Sequence, residues 1–306
     1  MRNLASYLVI FLLAAVPATA HARQKKNPID DPSRIGHRQI AKGEPDFYSP
    51  AREMEMGKEM ARQFEELATV YDDPATEAYM QQLTDRIARH SDAKIPVEVK
   101  VILSNEVDAF ALPGGRLFVT TGLILRTQSE DELAGVVAHE MAHIAARDAT
   151  RQMTRAQIFN WMSLPFLLFG GPAYFIGESM GAAGPLAMLM FDRDAERRAD
   201  NLGLQYLYES GYDPLGFVNF FERARKLEKD PDGGIARAFS SHPLTRDRVR
   251  AAEREIDRNL PPRAQYVVTT SSYELMKARL EQYMRDQMPL IPATPPKPVL
   301  QKHTKQ

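Results

Sequence analysis

Not one cysteine occurs in the 306 residues of this chain. Disulfides are therefore excluded, and so is a lipid carried on an N-terminal cysteine. Any metal site must be built from histidine and carboxylate, which suits a reactive site better than a Cys-rich structural one. An excess of one charge is missing too: 39 Lys and Arg stand against 40 Asp and Glu. There is no basic patch with interleaved aromatics, so nucleic acid is not an expected partner.

Long apolar runs are few, and the first is short. Arg2 precedes an apolar stretch from Leu8 to Val16. That stretch is shorter than the ~20 residues a membrane span needs. Ala20-His21-Ala22 follows as an A-x-A cleavage site. Residues 1–22 read as a secretory signal, and the expected destination is a bacterial periplasm, with association at a membrane surface a further option. Residues 23–45 are polar and read as a flexible lead-in.

What is present is concentrated in His139-Glu140-Met141-Ala142-His143. Positions i and i+4 of a helix lie on nearly one face, so both imidazoles can reach one metal ion. Glu140 sits to one side, where a carboxylate can take a proton from a zinc-bound water. This is the core of a zinc peptidase. The helix is signalled by an apolar stripe of Leu133, Val136, Val137 and Ile144 and by a capping box of Ser129 with Glu132.

Zinc needs more than two histidines. Glu196, near the start of another helix that Gly211 stops, is the best third ligand. Asp200, one turn later, could orient a ligand histidine through its second ring nitrogen. The competing reading is a solvated helix face, since Arg193, Arg197 and Arg198 are neighbours. His242, before Pro243, reads either as a loop histidine facing a site or as an ordinary residue opening a helix.

The motifs together resemble the gluzincin metallopeptidases of the HtpX and BepA group, bacterial relatives of the CaaX prenyl endopeptidases. The resemblance runs from about Asp46 to Arg285. It rests on the stretch Ala109 to Gly115, on Thr121 to Ile124 and on Glu130 to Ala134. It continues through H-E-x-x-H, Glu196-x-x-Ala199-Asp200 and Ser241-His242-Pro243. It implies zinc held by His139, His143 and Glu196, with Glu140 as general base and Asp200 behind the ligands. It implies that His242 and Arg248 approach the metal and stabilise the oxyanion. In some relatives the histidine equivalent to His242 takes the fourth zinc position. Phe110, Ala111 and Leu112 would lie on the strand that binds substrate. Two departures stand out. Asp108 replaces an Asn common in relatives, and Ala146-Arg147-Asp148 stands where relatives often carry a histidine.

The expected fold is α+β and zincin-like, mostly helical with a small sheet over the H-E-x-x-H helix. Strands are expected over Val97–Leu103, Phe110–Leu112 and Leu117–Thr121. Helices are expected over about 49–69, 74–90, 213–229 and 243–258, and from Ser271 with Glu274 as a second capping box. The metallopeptidase domain would cover 46–285, with a disordered tail over 286–306. Some relatives continue there into tetratricopeptide repeats, whereas this sequence ends at Gln306. Within the domain, 156–191 reads as a broken apolar hairpin beside the site mouth. It is either a buried hairpin or an element touching the membrane surface, with a true span least favoured.

The function these features imply is zinc-dependent hydrolysis of extended or misfolded envelope proteins and peptides. The competing class is a latent chaperone-like scaffold whose zinc is capped by His242. A cell-wall amidase fits the location but not the H-E-x-x-H plus Glu pattern.

Overall fold

Proline and its preceding cap decide where the first two helices begin. Helix α1 spans Pro50–Leu67 and α2 spans Pro74–Arg89. Ser49 accepts the Arg52 N–H at 3.2 Å, and Asp73 accepts the Thr76 N–H at 3.0 Å. Proline in the first turn loses no helical hydrogen bond, because its missing N–H would have been unpaired. The computed structural model describes residues 29, 31–40, 42–168, 192–227, 242 and 245–287, with side chains of 159–168 left aside.

Three strands follow: β1 (Glu98–Ile102), β2 (Ala109–Leu112) and β3 (Arg116–Thr120). Their order is β1-β3-β2. β1 runs parallel to β3, and β2 is antiparallel to it with Phe110 opposite Phe118. Strand alternation sends β2's side chains to two sides. Ala109 and Ala111 join the main core, while Phe110 and Leu112 join a smaller cluster with Phe118 under α1.

A short helix α3 (Thr121–Arg126) leads to α4 (Glu130–Ala146), which carries the motif. Every residue of α4 except Ala145 is buried. A helix buried on all sides needs neighbours all round, and α4 lies against the sheet, α2, α6 (Arg193–Glu209) and α7 (Leu215–Leu227). Between α4 and α6 runs α5 (Asp148–Leu168); α8 (Arg246–Asn259) and α9 (Ser271–Gln287) follow. The architecture is the expected one, mostly helical with a small three-stranded sheet.

Several local expectations are corrected. Ser129 makes no capping bond to the helix, and its hydroxyl binds Asp131 instead. Glu132 reaches back to the Gln128 N–H at 2.6 Å and pairs with Arg223. At α9 the cap is Thr270, which accepts the Tyr273 N–H at 3.2 Å, not Ser271. Helix α5 continues through Pro165 to Leu168, where a break was expected. The lead-in is anchored over residues 31–40. Arg38 is buried and ion-paired with Asp92 at 2.6 Å, donates to Gln205 at 2.6 Å, and neighbours the buried Ile40. A buried charge stays only where it is paired, which holds the segment to the core. The signal (1–22), most of the hairpin (169–191) and the tail from 288 onward lie outside the described residues. Among the described residues no helix is long and apolar enough to cross a membrane.

Candidate metal centre

Three separate chain segments bring donors to one buried point. α4 supplies His139 and His143, whose Nε2 atoms are 3.2 Å apart. α6 supplies Glu196 from its first turns, after Asp192 caps the helix by accepting the Ala195 N–H at 2.8 Å. His242 comes from the chain before α8 and does not open that helix, which starts at Arg246 behind its cap Thr245. One donor atom from each of these four residues lies within 4.8 Å of the others, and all four residues are buried.

The spacing suits a metal. Donors 2.0–2.1 Å from a tetrahedral ion sit roughly 3.4 Å from one another. His139 Nε2 is 3.4 Å from His242 Nδ1 and 3.6 Å from Glu196 Oε2, and His143 Nε2 is 3.5 Å from Glu196 Oε1. The tighter 2.7 Å contact of His242 Nδ1 with Glu196 Oε1 is a hydrogen bond. Nitrogen and oxygen donors of this kind fit zinc.

The far sides of both α4 histidines face carboxylates. His139 Nδ1 is 3.2 Å from Asp200 Oδ1, and His143 Nδ1 is 2.8 Å from Asp148 Oδ2. The Asp148 bond suits a proton on His143 Nδ1, which turns that ring's Nε2 lone pair to the cluster, and Asp200 lies close behind His139 without a formed hydrogen bond. Arg248 grips Asp200 with Nε at 2.8 Å and Nη2 at 2.7 Å, and meets Glu196 Oε2 through Nη1 at 2.7 Å. Its fork is thus engaged with Asp200 and Glu196, which brings it to the edge of the donor cluster as expected of its position, with its part in the chemistry left to experiment.

Glu140 is fully buried, and neither of its oxygens has a well-formed hydrogen bond. Its nearest basic atom is His242 Nε2, 3.3 Å away. Burial pushes its carboxyl up, while His242 and His143 pull the other way. Asp108 is held at about 7, first by burial and then by the Glu140 charge, so the two acids compete for one negative charge.

Burial opposes protonation of His143, yet the Asp148 and Glu196 hydrogen bonds push it up to about 10 without metal. Burial would likewise raise Glu196 and Asp200, but His242 holds the first down and Arg248 the second. A raised imidazole stabilises the fold fully below its unfolded value of 6.5 and loses that contribution as pH rises through about 10. The lowered carboxylates contribute above their ordinary values and lose it as pH falls. The His143 contribution is thus lost at high pH and the Glu196 and Asp200 contributions at low pH, while the raised Asp108 and Glu140 carboxyls add a cost to the metal-free fold as they ionise. Metal uptake at neutral pH should release protons. Calorimetry in buffers of different ionisation enthalpy would detect that release; a buffer-independent heat would contradict it.

Close packing of α6 on α4 depends on Gly203. A Cβ there would lie 3.0 Å from the His139 Cα and 3.1 Å from its nitrogen. Gly203→Val is expected to destabilise the protein by about 1–3 kcal/mol in urea unfolding and to weaken metal binding by shifting His139. Unchanged values for both would contradict this.

The whole arrangement lies within one sequence family. A profile of peptidase family M48 matches residues 74–256, more than half of the chain. The chain belongs to that family. It is 29% identical to the beta-barrel assembly-enhancing protease of Escherichia coli K12 over 246 residues, 76% of this chain and 48% of that protein. It is 28% identical to the mitochondrial metalloendopeptidase OMA1 of Schizosaccharomyces pombe over 187 residues, 58% of this chain and 52% of that one. It is 30% identical to the metalloprotease LoiP of Escherichia coli K12 over 182 residues, 58% of this chain and 70% of that one. The chain spans about half the length of the first of these relatives. The enzyme class read from the motif and the family agree.

Within the family frame the structure adds residues that sequence reading missed. In sequence Asp148 is only a departure from the relatives, yet in the structure it binds His143. The available signal was its place five residues after the second motif histidine, where a tight helix end can turn a side chain back.

Proposed function

We propose that the protein is a zinc-dependent endopeptidase of the cell envelope that cuts extended or misfolded proteins, with Glu140 as general base. The observation that carries this reading is the buried His139, His143, Glu196 and His242 cluster with the Glu140 carboxylate beside it. Bound zinc would polarise the scissile carbonyl and lower the pKa of water towards neutrality. His139, His143 and Glu196 would hold it. Glu140 would take the proton of the attacking water and pass it to the leaving amine. Arg248 would fix Asp200 and Glu196 in place, and through Asp200 the ring of His139.

Substrate binding follows from the sheet. Among the described residues β2 pairs with β3 alone, which leaves its other edge for a peptide strand. Phe110 is stacked on Phe118 at 5.3 Å and meets Phe64 edge-on at 5.1 Å. Its contribution to a peptide would thus be main-chain hydrogen bonding, like that of Ala111 and Leu112. A shallow concavity lined by Ala111, Leu112, Ile144 and the ion-paired Arg147 and Glu53 lies alongside. The reading of residues 1–22 as a secretory signal and the name of the beta-barrel assembly-enhancing protease support the envelope as location.

The experiment is elemental analysis of the purified protein together with casein cleavage before and after chelation. Stoichiometric zinc, cleavage lost on chelation and cleavage restored by zinc would support the proposal. Absence of zinc from folded protein supplied with it would overturn it.

A second reading has its own observation. His242 stands among the donors and also 3.3 Å from Glu140, so it can block both metal and base. The protein would then rest as a latent, scaffold-like form. His242→Ala should raise cleavage if this capping is inhibitory. A drop with zinc retained would make His242 a transition-state group.

A further inference from the structure

The matched family region begins at residue 74, but the carboxylate behind His143 is tied to a segment well before it. Asp148 is fully buried and accepts from Arg198 on its Oδ1, opposite the oxygen that meets His143. Arg198 in turn donates through Nη1 to Glu44 Oε1 at 3.1 Å. Glu44 also faces Arg151 at 3.6 Å and Arg155 at 3.5 Å. Arg151 is only 1% exposed. Three guanidinium groups thus converge on one carboxylate from the N-terminal arm.

The same arm holds the turn that aims Asp148. Arg147 ends α4 with a φ of 54°, the sole non-glycine residue in the left-handed region among the described residues. That conformation costs about 1–2 kcal/mol for a residue with a Cβ, and contacts must hold it. The Arg147 guanidinium meets Asp46 at 3.2 Å, Glu53 at 2.6 Å and the Tyr48 carbonyl at 2.7 Å. Thr150 donates to Asp46 at 2.9 Å, and the Phe47 N–H donates to Thr154 at 3.0 Å. α5 starts at Asp148, the next residue, so this turn places the carboxylate under His143.

We propose that residues 44–48 are a positioning clamp for the metal centre: Glu44 holds Arg198, Arg198 holds Asp148, and Asp148 holds the Nδ1 side of His143. The arm thereby raises the affinity of the site for metal from ahead of the matched profile. The proposal rests on the reading of His143 as a metal ligand. Outer partners of ligand histidines are typically worth about 10–100-fold in metal affinity. Exposed ion pairs are worth much less, and Glu44 keeps 39% of its side chain exposed. The effect should fall with distance from the metal along the chain of contacts.

The test is zinc affinity by chelator competition on the full-length chain, for wild type, Asp148→Asn, Arg198→Gln and Glu44→Gln. The cobalt-substituted visible spectrum and the melting temperature of the metal-free protein are recorded beside it. Asp148→Asn should bind zinc about 10–100-fold more weakly. Glu44→Gln should lose about two- to fivefold, Arg198→Gln should fall between them, and all three should alter the cobalt bands. Glu44→Gln should cost less in the Arg198→Gln background than in wild type, because Arg198 carries the main contact they share and only Arg151 then links Glu44 to Asp148. Glu44→Asp should recover part of the lost affinity. Wild-type zinc affinity and cobalt bands in Glu44→Gln would overturn the clamp, whatever Arg198→Gln does, as would a change confined to metal-free melting. Failure of the wild type itself to bind zinc would instead overturn the reading of His143 as a ligand.

Discussion

Glu140→Gln is expected to cut casein cleavage by about 10²–10⁴-fold, the usual share of a general base, with zinc content unchanged. The amide keeps the size and burial of the carboxylate but cannot accept the proton. Glu140 lies beside the donors and not among them: its closest link to the cluster is the 3.3 Å approach to His242. Metal retention should therefore be indifferent to the substitution. The measurement is kcat/KM on a labelled casein or a quenched peptide, with zinc quantified in the same preparation. Loss of zinc along with activity would make Glu140 part of the ligand set. Activity within about tenfold of wild type would remove it as the base. The pH profile should shift as well, since burial raises the carboxyl of the metal-free site and Asp108 competes for the same charge.

Arg248→Ala should be among the most damaging substitutions for stability, at about 3–5 kcal/mol, the usual cost of stranding a buried ionic partner. The guanidinium is 7% exposed and serves two buried carboxylates, Asp200 and Glu196. Its removal leaves Asp200 buried without its cation, while Glu196 still faces His143 and His242. Urea unfolding of the metal-free protein is the direct test. Zinc binding should weaken too, because Asp200 would no longer be held against His139. Arg248→Lys should recover only part of the loss, since an ammonium cannot match the bidentate grip on Asp200. A cost below about 1 kcal/mol, the range of surface ion pairs, would show that the pairs are solvated. A fall in kcat with stability intact would return Arg248 to the oxyanion role.

Much of the fold could be read because its signals are local. Pro50 and Pro74 sit one residue after side chains that cap helices, and Gly211 ends α6 with a φ of 85°. The alternation over β1 and the Pro113-Gly114-Gly115 turn between two short apolar runs marked the sheet. The capping signals failed where a stronger partner competed: Glu132 is taken by Arg223, and Ser129 by Asp131. The lead-in misled for the opposite reason. Its composition is polar, yet Arg38 and Asp92 bury their charges against each other, and no local pattern announces a pair 54 residues apart.

The chain alone determined that two imidazoles share one helical face with a carboxylate between them, because helix geometry makes that a matter of spacing. It determined that cysteine plays no part, and that a third donor had to be an acid or a histidine. Tertiary structure decided the rest, because metal donors must converge in space and not in sequence. Packing alone brought His242 across 103 residues to His139 and spent the Arg248 fork on Asp200 and Glu196. It also buried Glu140 without solvent and set an arm from ahead of the matched profile behind the partner of His143. Those choices depend on which charged groups are shut away from water together, since each buried charge must find its partner wherever the fold places one.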